Sequence, residues 1–369
     1  MRKIATVIGA RPQFIKVAPV SQALAETGAV REILIHTGQH FDADMSDVFF
    51  KELGLPVPDY HLDVHGGGHG VMTGIMLQKL EPVLESLRPD RVLVYGDTNS
   101  TLAGALVSAK LHIPVAHVEA GLRSFNRAMP EEINRIVADQ ISDILFTSTD
   151  AGTENLAKEG IARDRVVQVG DVMFDAALMF SAMASQKNDV LSALGIEPRR
   201  YVLATVHRAE NTDSPVRLSN IVAALEQVAN DLPVVLPLHP RTATRMKSAG
   251  LSFTKVKTVP PVGYLDMVAL ESQAAVIATD SGGVQKEAFF YQVPCVTLRD
   301  ETEWVELVDL GWNRLASPAQ NGLAAVILGA LGTAGKSAHP YGDGKAAERI
   351  AKTLAAESCH AATAGAPTP

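Results

Sequence analysis

Acidic, imidazole and guanidinium side chains of this 369-residue chain stand where short β-branched runs stop. DRVLVYG (90–96) leads into Asp97, IPVAHV (113–118) into Glu119, and YVLATV (201–206) into His207 and Arg208. LPVVLPL (232–238) is followed by His239 and Arg241, and KIATVIG (3–9) by Arg11 and Lys16. AAVIAT (274–279) is followed by Asp280 and a turn of Ser281, Gly282 and Gly283, after which VQKEAFF opens a helix. A Ser-Gly-Gly turn at that junction leaves backbone N–H groups bare at a helix N-terminus, where an anion is favoured. Arg11 and Lys16 join the turn as a clamp for a diphosphate.

A carboxylate directly after a buried strand needs a partner or a task, and Glu119 reads as functional on that ground. Asp97 reads equally well as a cap for the helix that follows it. Glu131 and Glu132 come after Pro130 at a helix start, where the dipole alone accounts for them. His207 reads as functional, His117 inside its strand as a satisfied core residue. His65 and His69, set among glycines in HGGGHG (65–70), read as a flexible loop that touches ligand. No Ser or Cys nucleophile is spaced with a base, and no metal-ligand cluster is visible. A bound anion, several carboxylates and a histidine suit acid/base chemistry on a nucleotide sugar.

The elements that must position these groups are an alternation of strands and helices. Further runs are REILIHT (31–37), DILFTS (143–148), DRVVQVG (164–170), KVKTVP (255–260) and VPCVTL (293–298). PQFIKVAPVSQALAE (12–26) and SNIVAALEQVA (219–229) carry helical spacing between such runs. The alternation predicts an α/β chain of two Rossmann-like doubly wound parallel sheets, with functional groups at the carboxyl ends of the strands. The spans expected are 1–170, 171–344, a last helix over 345–357 and a disordered tail over 358–369. No G-x-G-x-x-G follows any strand, and no Walker lysine follows the Ser-Gly-Gly turn, which turns the reading away from dehydrogenases and kinases.

The net charge of −8 argues against a nucleic-acid partner, although a small anion needs only local positive groups. Hydrophobic residues at 47% and charged residues at 20% describe a soluble globular protein, with no apolar membrane span or leader. Cys295 and Cys359 are too few for a disulfide framework or a zinc site, so a reducing cytoplasm is expected. No cofactor and no metal are expected.

GARPQFIK (9–16), TGQH (37–40), GDTNSTLAG (96–104), HVEAGLRS (117–124), MPEEINR (129–135), HRAEN (207–211), TDSGGVQKEA (279–288), RDETEW (299–304) and PYGDG (340–344) occur together. In order and spacing they resemble the non-hydrolysing UDP-N-acetylglucosamine 2-epimerases, from residue 3 to about 355. The resemblance implies a GT-B fold with the nucleotide between the domains and the last helix crossing back to the first. It implies inversion of C2 of a UDP-amino sugar. A base takes the C2 proton as UDP leaves C1, and UDP returns to the glycal after protonation on the other face.

The family's carboxylates match Asp97, Glu119 and Glu131, and its histidine matches His207 as proton donor or charge stabiliser. Arg11 then lies on the diphosphate, with Ser281, Gly282 and Gly283 under it and Glu287 on the ribose hydroxyls. PVGYLDM (261–267), with Val262 and Met267, lies where the family holds uracil. Gln39, His40, His69, Arg123, Arg208, His239 and Arg241 are the candidates for the sugar, and Arg127 joins the arginines that could read a sugar carboxylate. Each of those arginines serves equally as half of a structural pair.

The chain departs from better-known members at Ala209 and Trp304, each where an arginine is usual, at Asp42, and in the loop at His69. In regulated bacterial members some of these positions hold a second UDP-GlcNAc, so turnover without an activator is expected. The variants also resemble a branch that includes epimerases of UDP-2,3-diacetamido-2,3-dideoxyglucuronic acid. That sugar and UDP-GlcNAc are the two candidate substrates, for precursors of surface polysaccharide. A GT-B glycosyltransferase, a hydrolysing epimerase and a nucleotide-sugar sensor are the rivals. A homodimer is expected, for which the helix over 72–87 offers apolar spacing, although packing on the first sheet accounts for most of it.

Overall fold

The computed structural model describes residues 1–39, 50, 52–187 and 189–356. His40, Asp42 and the tail from 358 lie outside them. The chain divides into two compact units, Met1–Ala176 with the segment from Tyr341 onward, and Ala177–Pro340. The division falls inside the helix Val172–Lys187.

The first unit holds β1 (Arg2–Ile8), β2 (Val30–His36), β3 (Tyr60–His61), β4 (Arg91–Tyr95), β5 (Val115–Ala120), β6 (Ile144–Thr147) and β7 (Val166–Gln168). They form a parallel sheet in the order β3-β2-β1-β4-β5-β6-β7. The second unit holds β8 (Val202–Thr205), β9 (Val234–Pro237), β10 (Lys257–Val259), β11 (Val276–Thr279), β12 (Cys295–Thr297) and β13 (Asn313–Leu315). Their order, β10-β9-β8-β11-β12-β13, repeats the winding of the first sheet. Helices cover both faces, so central strands such as β4 and β11 bury successive residues instead of alternating.

In each sheet the winding reverses between two neighbouring strands, β1 and β4 in the first, β8 and β11 in the second. The loops after such a pair lead away from each other and leave a crevice at the strand ends. Arg11 and Asp97 follow the first pair, His207 and Asp280 the second. Topology thus puts Arg11, Asp97, His207 and Asp280, among the residues that the sequence marks as chemical, at the two switch points.

Two strands escape the sequence reading. β3 and β13 are edge strands of two and three residues, too short to show a period. The HGGGHG segment is also shorter as a loop than expected: His69 and Gly70 already belong to the helix His69–Leu87.

The last helix, Ala346–Ala356, packs against the helix Arg11–Glu26, and the Arg2 guanidinium donates to the Leu354 carbonyl at 2.8 Å. Its first N–H groups are capped from outside the helix, Ala346 and Ala347 donating to Asp175 at 3.1 and 2.8 Å. Burial pushes the Asp175 carboxyl up to about 6 against those two bonds. The chain reaches this helix by a close crossing at which Gly170 and Gly342 have φ of 98° and 89°. A Cβ on Gly170 would stand 3.1 Å from the Tyr341 carbonyl oxygen, so the crossing requires glycine.

Candidate active site

The crevice of the first unit is a wired set of charges. Glu119 stands near the end of β5 in the left-handed region, φ 71°, where the pairing with β6 slips between Val118 and Ala120. A non-glycine residue there carries backbone strain, of order 1–3 kcal/mol, and the bulge turns its side chain to a new direction. The carboxylate meets the ammonium of Lys16, which reaches over from the helix Arg11–Glu26. Burial works against charge on Lys16, but Glu119 and then Asp97 outweigh it and hold the ammonium above its ordinary value. Gly96 completes the contact: a Cβ there would sit 3.3 Å from Glu119 Oε2 and 3.4 Å from Lys16 Nζ.

Asp97 is not the cap of the helix it precedes. Thr98 takes that place, its side chain accepting from the Thr101 N–H at 3.3 Å. The Asp97 carboxylate instead accepts from Arg135 Nη2 at 2.6 Å, and its carbonyl accepts from Asn134 Nδ2 at 2.8 Å. Arg135 also donates to Glu132 at 2.8 Å. Glu132, 1% exposed, further accepts from the Ser124 N–H, the Ser124 hydroxyl and the Phe125 N–H, each at 2.9 Å. Burial would raise the Glu132 carboxyl, yet these donors hold it below its ordinary value. Glu132 is thus a loop clamp, while Glu131 is partly exposed and makes no hydrogen bond or ion pair among the described residues.

Two of the sugar candidates anchor the loop after β4. Gln39 Oε1 accepts from the Ser100 N–H at 3.0 Å and from its hydroxyl at 2.8 Å, and His69 Nδ1 lies 3.3 Å from Asn99 Nδ2. Arg123 takes the structural pairing that the sequence left open. Its side chain, 1% exposed, is held by Asp139 at 2.7 Å, by both oxygens of Glu159 at 2.7 Å and by the Leu122 carbonyl at 2.7 Å. Arg11 and Arg127 are exposed.

The second unit builds its crevice chiefly from backbone. Asp280, fully buried, accepts from the N–H groups of His207 at 3.1 Å and Arg208 at 3.0 Å and from Asn211 Nδ2 at 3.0 Å. It therefore holds the HRAEN loop, and the His207 side chain stays 47% exposed with Nδ1 3.6 Å from Asp280 Oδ1. Ser281 caps the helix Gly282–Phe290, and the Gly282 carbonyl accepts from Trp304 Nε1 at 2.9 Å. A Cβ on Gly282 would fall 2.2 Å from Glu303 Oε1, whereas at Gly283 the nearest atom is 3.9 Å away. Lys286 lies with its ammonium 4.6 Å from the Trp304 ring centre.

Glu287, partly buried, is pushed up to about 7 by burial, against the pull of Lys286. Arg208 lies 3.6 Å from Glu303, and Arg241 donates to Asp213 at 2.6 Å. His239 caps its own helix, Nδ1 accepting from the Arg241 N–H at 3.2 Å, and its ring is 6.3 Å from that of His207. Val262 and Met267 are partly buried, the first before and the second within the helix Tyr264–Ser272.

Sequence reasoning missed Gln13, Arg135 and Asp139. Gln13 is buried, accepts from the Gly9 and Ala10 N–H groups at 2.8 and 3.1 Å, and donates to the Tyr95 carbonyl at 2.9 Å, tying the ends of β1 and β4 together. Only the i, i+3 spacing of Glu132 and Arg135 was visible beforehand. Among the described residues no group of three or more His, Cys, Asp or Glu side chains could hold a metal ion, and no helix is long and apolar enough to cross a membrane.

Residues 22–355 match the family model described as UDP-N-acetylglucosamine 2-epimerase. The chain is 55% identical to the UDP-2,3-diacetamido-2,3-dideoxy-D-glucuronate 2-epimerase of Pseudomonas aeruginosa, over 96% of this chain and 99% of that protein. A solved structure of the Methanocaldococcus jannaschii UDP-GlcNAc 2-epimerase superposes with a TM-score of 0.87 at 43% identity, covering 95% of this chain and 99% of that one. The same enzyme in complex with UDP-GlcNAc and UDP superposes with a TM-score of 0.80 at the same identity and coverage. The chain belongs to the UDP-N-acetylglucosamine 2-epimerase family and has its GT-B fold.

Proposed function

We propose, from the premise that the chain is a member of this family, that it inverts C2 of UDP-2,3-diacetamido-2,3-dideoxyglucuronic acid by elimination and re-addition of UDP. The observation that carries the chemistry is the Glu119 carboxylate, held on a strained bulge against Lys16 and close enough to Asp97 for both acids to act on the same ammonium. Elimination needs a base at C2 and a second proton carrier on the opposite face of the ring, and paired carboxylates at fixed positions suit both tasks. Asp97, Glu119 and Glu131 move the proton, and His207 donates to or steadies the departing phosphate. Arg11, Ser281, Gly282 and Gly283 hold the diphosphate, Glu287 accepts from the ribose hydroxyls, and Val262 and Met267 line the uracil. Lys16 completes the clamp on the substrate while it pairs Glu119. Gln39, His40, His69, Arg208, His239 and Arg241 are left for the sugar.

The 55% identity to the Pseudomonas aeruginosa enzyme supports the acidic diacetamido sugar as substrate, and UDP-GlcNAc is the second reading, supported by the Methanocaldococcus jannaschii relative. The reading includes a cytoplasmic homodimer that supplies surface-polysaccharide synthesis. Turnover of both UDP-sugars side by side, followed by NMR in heavy water, tests it. Deuterium entering C2 with the UDP linkage intact is expected. A free sugar as product would instead indicate a hydrolysing enzyme, and transfer to a sugar acceptor with no deuterium at C2 a glycosyltransferase.

A further inference from the structure

His117 is fully buried in β5, two residues before Glu119, and both of its ring nitrogens meet acceptors. Nδ1 lies 2.7 Å from Asp139 Oδ1, and Nε2 lies 2.7 Å from the carbonyl oxygen of Gly96. A carbonyl can only accept, so Nε2 carries a proton. Asp139 is itself saturated with donors, its other oxygen accepting from the Gly121 N–H at 3.1 Å and from Arg123 at 2.7 Å. It is a carboxylate, and Nδ1 carries a proton as well.

The remaining charges around the ring agree with that assignment. Burial works against charge on His117, but the bond to Asp139, the Asp139 charge, the Gly96 carbonyl and Glu119 together hold the imidazolium above its ordinary range. Burial likewise works against Asp139, and His117 and Arg123 hold its carboxyl below its ordinary value. Arg123 is in turn balanced by Glu159.

The carbonyl that the ring grips belongs to the residue before Asp97, at a glycine with φ 62°. The ring itself belongs to the strand that ends in Glu119. The Gly96 N–H donates to the Val118 carbonyl at 3.0 Å, so the ends of β4 and β5 are joined by one backbone bond and one imidazole. We propose that His117 is a positioning residue for the epimerase reaction: as an imidazolium oriented by Asp139 it ties the Gly96 carbonyl at the end of β4 to β5 and thereby sets the separation of Asp97 and Glu119. The sequence marks it only as core. Its hydrogen bonds make it the fixed member from which both acids are hung.

The inference rests on the epimerase reading, and two amide variants separate it from a merely structural role. The side-chain nitrogen of Gln reaches the place of Nε2, and that of Asn the place of Nδ1. His117→Gln keeps the donor to Gly96 and loses the one to Asp139; His117→Asn does the reverse. A displacement near 1 Å of a reacting group costs roughly 10²-fold. His117→Asn is therefore expected to lose about that factor in kcat with KM little changed, and His117→Gln to recover most of it.

Equal losses in the two variants, or a loss carried in KM, would overturn the proposal. Should His117→Asn not fold, His117→Gln decides alone: near-normal kcat supports the clamp, and a collapse as deep as that of Glu119→Gln sinks it. ¹⁵N spectra of the histidine-labelled wild type give a readout independent of turnover. Both ring nitrogens of His117 should be protonated near neutral pH, and a neutral tautomer there would overturn the imidazolium. Wild-type enzyme inactive on both sugars would fail the epimerase reading instead, and leave this spectrum to be judged by itself.

Discussion

Two sheets of the same winding order carry two different kinds of crevice. In the first unit the strand-end groups are side chains wired to one another: Lys16 to Glu119, Arg135 to Asp97 and Glu132, His117 to Asp139. In the second unit the buried carboxylate Asp280 is spent on backbone N–H groups, and the chemical side chains, His207 and Arg208 among them, remain largely or partly open. The difference suits the roles proposed for the two crevices. Proton transfer is sensitive to the position of a single atom and needs side chains fixed from several directions. Holding an anion needs oriented dipoles, which a glycine turn at a helix start supplies from the backbone without any side chain.

The comparison breaks first at Glu119. Glu119→Gln should lower kcat by roughly 10²–10⁴-fold, the usual worth of a proton-transfer group, while the protein still melts cooperatively. Retained turnover would mean that the wired crevice is structural. Arg135→Met comes next: it frees Asp97 and Glu132 together, so loss of kcat should be accompanied by a lower Tm, because Glu132 is buried and then lacks its cation.

A smaller effect belongs to the second unit. Glu287 lies at about 7, raised from the ordinary 4.5 by burial, so it is half protonated near neutrality. Only the carboxylate can accept from both ribose hydroxyls, so KM for a UDP-sugar should rise as pH falls through 7, by up to about tenfold per unit below it. The diphosphate diester does not titrate there, and Glu287→Gln should flatten the dependence. A KM that falls with acidification would remove Glu287 from the ribose. Ser281→Ala should be milder still: loss of the N-cap costs about 1 kcal/mol, read in Tm, with a few-fold weaker UDP binding. The least effect expected is none: progress curves should start without a lag, and added UDP-GlcNAc should not accelerate them.

Much of this was open to inspection in the chain itself. Every strand whose end carries a chemical group could be read from an apolar run closed by a polar residue, because strands buried on both faces leave no alternation to confuse the pattern. The edge strands β3 and β13 could not, being too brief for any period. The family motifs pointed to Asp97, Glu119, Glu131 and His207 without geometry. They could not say that Glu132 clamps the loop at Ser124 and Phe125 while its neighbour Glu131 makes no bond among the described residues, since both sit in one helical turn and differ only in which side of it faces the protein.

Composition, period and motif by themselves determined the α/β architecture, the strand ends at which chemistry gathers and the family to which the chain belongs. Local order along the chain encodes all three. Tertiary structure alone decided the partners. Arg123 went to Asp139 and Glu159 and not to solvent, Lys16 to a carboxylate 103 residues away, and His117 to a glycine carbonyl on the neighbouring strand. Such pairings depend on which strands become neighbours when the winding reverses. No local spacing carries that information, because the interactions are short-ranged in space and arbitrary in sequence.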